Sequence, residues 1–385
     1  ALAHALVLAL GAHHFRLPTF KQKPAAAPAA LTITLMGLDR RIDVTRTLVE
    51  IESANLARWL TRLPPNKLDA GAYRQGVSEL ARQNGWKMKF LDEAALKKKG
   101  AGAFLAVSQG NANRDAGIIH LQYRPTKKRR PILSLVGKGI VFDTGGTNLK
   151  PFKAMLDMHE DMAGSAVALA TLLALTRMEF AYPVDCWLAI TENRISAEAY
   201  KSRDIVTASN GVTIEIIHTD AEGRMALADT LALAGAENPG MIIDYATLTG
   251  TCISALTDRY SGVFTNRTAL NTVLVDAGSA SGERVWPFPM DADFESDLKS
   301  KAADILQCAT GGGGDHIHAA RFLQRFVPQD SAWVHVDLSA ATSRSGLGQV
   351  PAGPTGFGVR WTLNLLLDQG PRLEALIGHG DRSNA

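Results

Sequence analysis

Val136-Gly-Lys138-Gly-Ile-Val-Phe-Asp143-Thr-Gly-Gly-Thr-Asn-Leu-Lys150 reads as a strand that runs into a tight loop. Apolar residues dominate 132–136 and fill 140–142, and Gly145-Gly146 follow one residue after the acid. A polar loop held by a rigid strand is a usual place for catalytic groups. Further along, strand-like and helix-like segments alternate. Strands are expected over 117–122, 132–135, 184–190, 213–217 and 241–245. Helices are expected over 39–63, 72–84, 163–176 and 226–236, with Pro64-Pro65 ending the first. This alternation predicts an α/β/α sandwich around a central, mixed, largely parallel sheet. Ligands then belong at the carboxyl ends of the strands.

Three more acids stand close in sequence to Asp143. One lies in His159-Glu-Asp161-Met-Ala-Gly, and two in His218-Thr-Asp220-Ala-Glu222-Gly-Arg224. Carboxylates suit Mg²⁺, Mn²⁺ and Zn²⁺, and one carboxylate can bridge two ions. Asp220 and Glu222 are two apart, so an extended backbone would aim both to one side. Asp161 opens an alanine-rich helical stretch. Four carboxylates against two dications give nearly zero net charge, which permits burial. Lys138, Lys150 and Arg224 add cations beside them. A dinuclear hydrolase needs such a set: balanced metals, an activated water and positive groups for a developing oxyanion. Taken singly, each acid also reads as a helix cap, a turn residue or a surface ion-pair partner.

The composition agrees. In 385 residues, 46% are hydrophobic and 21% charged, as in globular proteins. A net charge of +3 does not by itself imply a nucleic-acid partner. The basic runs Lys97-Lys-Lys99 and 127–130 read as solvated loops or helix ends. Cys186, Cys252 and Cys308 have unrelated spacings and predict free thiols in a reducing compartment. The apolar run 1–10 is too short to span a bilayer and lacks the basic flank of a signal peptide. Residues 21–28 form a Pro/Ala/Lys-rich loop. Gly311 to Gly314 lack the Lys-[Ser/Thr] of a phosphate loop. Asp315-His-Ile-His318 reads as a helix start with Asp315 as cap, and its His-x-His pair could alternatively hold metal.

On these motifs the chain resembles the leucyl aminopeptidase (cytosol aminopeptidase) family of dinuclear metallo-exopeptidases. The family signature Asn-Thr-Asp-Ala-Glu-Gly-Arg stands here as His218-Thr-Asp-Ala-Glu-Gly-Arg224. The likeness continues through 136–150, 161–164, Ile243-Asp-Tyr-Ala-Thr-Leu-Thr-Gly250 and Gly353-Pro-Thr-Gly-Phe-Gly-Val-Arg360. It covers the chain from about Asn55 onward.

The resemblance implies a full set of roles. Asp143 and Glu222 would touch both metals. Lys138 and Asp161 would complete a tight site, and Asp220 a more exchangeable one. Lys150 would polarise the scissile carbonyl. Arg224 would hold a bicarbonate ion acting as general base. Met158, Thr247, Leu248 and Gly250 would line the pocket for the first side chain, with Ser339 and Thr342 adding hydroxyls to it. Those hydroxyls resemble the peptidase B-like bacterial branch and predict a weakened leucine preference. A lysine ligates only when neutral, although its free pKa is about 10.4, and two dications would drive that value down. Lys150 must stay charged, and so must point away from the metals.

The resemblance further implies peptide substrates, two Mn or Zn ions per chain, a cytoplasmic location, a homohexamer and no membrane association. It divides the chain into a remnant of an N-terminal domain (1–35), a connecting helix (36–63) and a catalytic metallopeptidase domain (64–385). Most of the N-terminal domain is then absent, as in a fragment or a processed form. Two rival readings are a DNA-binding or architectural protein on the same scaffold and a metal-binding pseudoenzyme. The complete ligand set together with Lys150 and Arg224 argues against the second. His218 replaces the family's Asn and reads as a wall residue. Lys201-Ser-Arg-Asp204 replaces Arg-Pro-Gly-Asp in a loop.

Overall fold

The computed structural model describes residues 2–378 apart from 24–25, 27–28, 35, 38–41 and 127–131. The basic run 127–130 lies outside the described residues, as do parts of the 1–35 segment, of the 21–28 loop and the start of the helix expected over 39–63.

Among the described residues there are thirteen strands, of which the first eleven matter here. They are β1 (Lys87–Asp92), β2 (Gly117–Tyr123), β3 (Leu133–Asp143), β4 (Val184–Asn193), β5 (Ile205–Thr207), β6 (Thr213–Glu215), β7 (Met241–Ala246), β8 (Ser261–Thr265), β9 (Val285–Pro287), β10 (Ile305–Leu306) and β11 (Ala332–Asp337). Eight of them form one sheet in the order β1-β2-β4-β3-β7-β11-β8-β9. Its centre, β4-β3-β7-β11, is parallel, while β1, β2 and β4 pair antiparallel, as do β11 and β8. The sheet is therefore mixed and largely parallel, as the alternation predicts. The expected strand over 213–217 shortens to β6 and joins β5 and β10 in a separate small sheet. Its alternation with neighbouring helices gives no signal of that departure.

Strand β3 explains the layering. Leu133, Leu135 and Val141 face one core, and Val136 and Ile140 face the other. Lys138 shares the second face. On the first face stands Gly137, where a Cβ would lie 2.4 Å from the Cα of Ser165. Only a residue without a side chain lets the helix Ala163–Arg177 settle on the strand. That helix is buried along nearly its whole length. The opposite layer holds the helix Glu222–Gly235, the helix Gly102–Ser108 and Asp315–Gln324.

The helix expected over 39–63 spans Thr45–Thr61. It packs on Ala163–Arg177 and on an N-terminal helix, Leu2–His14. The buried Arg58 ties it to the N-terminal helix and to the strand Gly353–Pro354 by donating to Ala12 O at 3.0 Å and Pro354 O at 3.0 Å. The helix expected over 72–84 starts earlier, at Ala70, because Asp69 accepts from Ala72 N at 2.7 Å and caps it. Lys97 and Lys98 end the short helix Glu93–Lys98, exposed and beside its negative pole. All three cysteines are buried and free. Among the described residues no helix is long and apolar enough to cross a membrane.

Candidate metal centre

The site gathers where the central parallel strands end. Pairing of β3 with β7 runs only to Gly137–Tyr245, so Lys138 is the first residue beyond it. Its side chain reaches under the turn after β7 and donates to Thr247 O at 2.8 Å. Asp143 closes β3 past a register shift against β4. Asp161 ends a single 3-10 turn, Met158–Glu160, just before the helix Ala163–Arg177. Asp220 lies in the turn before the next helix, and Glu222 is that helix's first residue. The extended backbone expected for Asp220 and Glu222 is therefore absent. A turn followed by a helix start aims both inward instead.

One ligand atom each of Asp143, Asp220 and Glu222 lie within 4.8 Å of one another. Asp161 joins them through Lys138, whose Nζ is 2.8 Å from Asp161 Oδ1 and 3.0 Å from Glu222 Oε1. Lys150 lies on the other side, 2.9 Å from Asp143 Oδ2 and 2.6 Å from Asp220 Oδ1. Lys150, expected to point away from the metals, has its ammonium drawn between two of the carboxylates that would hold them. Burial pushes Asp161 up to about 8, Glu222 to about 7 and Asp220 to about 6. Burial opposes the charge on Lys138 and Lys150 as well, but the surrounding carboxylates outweigh it and raise both.

The donors suit divalent cations. Asp161 Oδ2 and Glu222 Oε2 are buried with no hydrogen-bond partner. Orphaned carboxylate oxygens at that depth are costly unless a cation or water meets them. All four acids offer hard oxygen, and the remaining lone pairs are oriented. Asn193 Nδ2 and Gly145 N donate to Asp143 Oδ1, each at 2.8 Å, and Thr247 Oγ1 donates to Asp161 Oδ1 at 2.7 Å. Such outer partners hold ligands in place. Asn193 was missed from sequence, although a polar residue closing the apolar strand β4 beside Asp143 was a readable signal. Asp337 was also missed. It accepts from Leu248 N at 3.1 Å and Thr249 Oγ1 at 2.6 Å, shaping the loop after β7.

One expectation changes. Asp315 does not cap its helix, because Gly314 is the cap residue. Its carboxylate instead pairs with the buried Arg224, whose Nη2 donates to Oδ1 at 2.9 Å and Oδ2 at 2.7 Å. The bicarbonate expected on Arg224 thus meets a guanidinium already engaged by a carboxylate. Ser339 is buried, and its Oγ donates to Tyr260 O at 2.7 Å. Thr342 Oγ1 donates to Glu160 Oε2 at 2.9 Å. Met158, Thr247 and Leu248 are half-buried and Gly250 is exposed. The histidine pair separates, with His316 Nδ1 3.0 Å from Thr251 Oγ1 and His318 Nε2 3.1 Å from Asp297. His218 Nδ1 accepts from Asp220 N at 3.3 Å at the rim.

A sandwich with four acids and two lysines at its strand ends defines an α/β protein built to hold divalent cations. The model of the cytosol aminopeptidase family, catalytic domain, matches residues 55–363. A probable cytosol aminopeptidase of Parasynechococcus marenigrum (strain WH8102) is 40% identical over 369 residues, covering 94% of this chain and 74% of that protein. One from Chlorobaculum tepidum is 38% identical over 314 residues, covering 81% and 62%. Among solved structures, the bottromycin maturation enzyme BotP in complex with Mn matches with TM-score 0.80 and 34% identity, over 85% of this chain and 72% of that one. The chain belongs to the cytosol aminopeptidase family.

Proposed function

We propose that the chain is a metal-dependent aminopeptidase that removes N-terminal residues, leucine among them, from peptides with the help of two divalent ions. The observation that carries this reading is the convergence of Asp143, Asp220 and Glu222 within 4.8 Å, beside the Lys138–Asp161 pair. The family's activity supports it, and the manganese in the BotP structure favours Mn, with Zn the alternative.

Asp143 and Glu222 would serve both ions, Lys138 and Asp161 the tighter one, and Asp220 the more exchangeable one. Bound there, the ions would polarise the scissile carbonyl and lower the pKa of a water. Lys138 must shed its proton to ligate. The carboxylates hold that proton, and the field of two dications opposes them. Lys150 keeps its proton and stabilises negative charge on the substrate's carbonyl oxygen. Met158, Thr247, Leu248 and Gly250 surround the first side chain. The resemblance alone supports homohexameric assembly and a cytoplasmic location.

A screen of aminoacyl chromogenic substrates, run with Mn²⁺- and Zn²⁺-reconstituted protein and with chelated protein, tests this reading. Metal-dependent release from several aminoacyl groups is the expected result. No release with either metal sinks it.

A further inference from the structure

We infer that Asp315 is a built-in anion for Arg224 and stands where the resemblance expects an exogenous bicarbonate, which frees this chain from needing that ion. This rests on the aminopeptidase reading for its catalytic meaning.

Four observations carry it. The guanidinium of Arg224 is buried at 1% exposure, and Nη2 meets both oxygens of Asp315. Nη1 is spent on Gln307 O at 3.2 Å, so only the buried Nε lacks a partner. Asp315 is free for this task. The cap residue before it is a glycine, and the next backbone donor, His316 N, is satisfied by Thr251 Oγ1 at 3.0 Å. Gly312 and Gly314 adopt left-handed φ of 88° and 79°, a turn that delivers the helix start to the guanidinium.

The side chain of Asp315 remains 42% exposed, so its carboxylate can reach water while its partner cannot. Arg224 stands two residues after Glu222, within the first turn of the same helix. Burial tends to raise the Asp315 carboxyl, but Arg224 outweighs it and holds it below the usual carboxylate range. It is therefore an anion at neutral pH, with its partner fixed.

In the reaction Asp315 takes one proton from water as the water oxygen bonds to the carbonyl carbon. It returns that proton to the leaving amine nitrogen as the C–N bond breaks. One water is consumed and the carboxylate is regenerated. A bicarbonate would do the same work, and here the side chain holds the place.

The test uses CO₂-stripped buffers at constant ionic strength. Bicarbonate is titrated into wild type and Asp315→Ser. Thermal midpoints are read on metal-free protein, and peptidase rates on Mn²⁺-loaded protein. In wild type, neither midpoint nor rate should respond. In Asp315→Ser, the midpoint should rise with bicarbonate. Its rate without bicarbonate should fall about 100- to 10,000-fold, the range for a general acid–base group, and recover in part on addition. A wild-type midpoint or rate that climbs several-fold with bicarbonate overturns the inference, and so does an Asp315→Ser protein that folds but ignores the ion. Should Asp315→Ser not fold, the wild-type titrations decide alone. A wild type without peptidase activity would sink the aminopeptidase reading, while the metal-free midpoints would still decide who fills the anion site.

Discussion

Gly223 and Lys138 share one space: a Cβ on Gly223 would stand 2.5 Å from Lys138 Cε and 2.6 Å from its Nζ. The lysine therefore reaches Asp161 and Glu222 only across bare backbone. Gly223→Ala would force Lys138 to swing away. Overpacking of this kind typically costs about 1–3 kcal/mol. The expected outcome is a folded protein with a lowered thermal midpoint and reduced metal content after dialysis. Unchanged metal content at full activity would contradict this arrangement.

The two lysines should separate in a paired comparison. Lys150→Ala should lower kcat about 100- to 1,000-fold, as the loss of one oxyanion donor does, while two metals stay bound. Lys138→Ala should lose metal as well as rate. Metal analysis and kcat on both variants give the answer. Equal metal loss in the two would mean that Lys150 also serves as a ligand.

Proton release should accompany metal binding, and more of it at pH 6 than at pH 9. Burial holds Asp161, Glu222 and Asp220 above their ordinary values, at about 8, 7 and 6. At pH 6 they still carry protons that a dication must displace. Near pH 9 they have ionised, and mainly the ammonium of Lys138 has one to give. The same sign governs stability. A carboxyl raised on folding binds more protons folded than unfolded, so metal-free stability should fall as pH climbs from about 4 to about 8. Calorimetry in buffers of different ionisation enthalpy, with metal-free thermal midpoints across that window, measures both effects.

Ser339 is expected to support the fold rather than specificity. Its hydroxyl faces the Tyr260 carbonyl from a buried position. Ser339→Ala should destabilise the protein by about 1–3 kcal/mol, the usual consequence of leaving a buried acceptor unpaired. The ratio of leucyl to arginyl substrate turnover should hold. A changed ratio at unchanged stability would return Ser339 to the pocket wall. The weakened leucine preference then depends on Thr342 and its Glu160 partner, and Thr342→Val should shift that ratio.

How much of this was legible in sequence depends on the range of the interaction. Strand β3 announces itself through its apolar runs and the acid at its end, and alternation with helices predicts the mixed sheet. The site acids were readable as a set, because motif spacing records chemistry even where local conformation is misjudged. Asp220 and Glu222 show this: the extended backbone invoked for them is a turn and a helix start. Asp315 was misread for a different reason. An acid before a helix looks like a cap, and only the fold reveals a buried arginine, distant in sequence, that claims it. The Ser339 hydrogen bond was hidden in the same way, since its acceptor is the Tyr260 carbonyl on another segment.

The ammonium groups of Lys138 and Lys150, placed between the carboxylates, have a consequence for the order of the protein's making. Four acids crowded together would repel one another in a newly made chain that had met no ion. Two internal cations act as placeholders, letting the polypeptide finish folding first. On the proposed reading, an ion that arrives afterwards takes Lys138 as a ligand once its proton leaves, and must part Lys150 from Asp143 and Asp220.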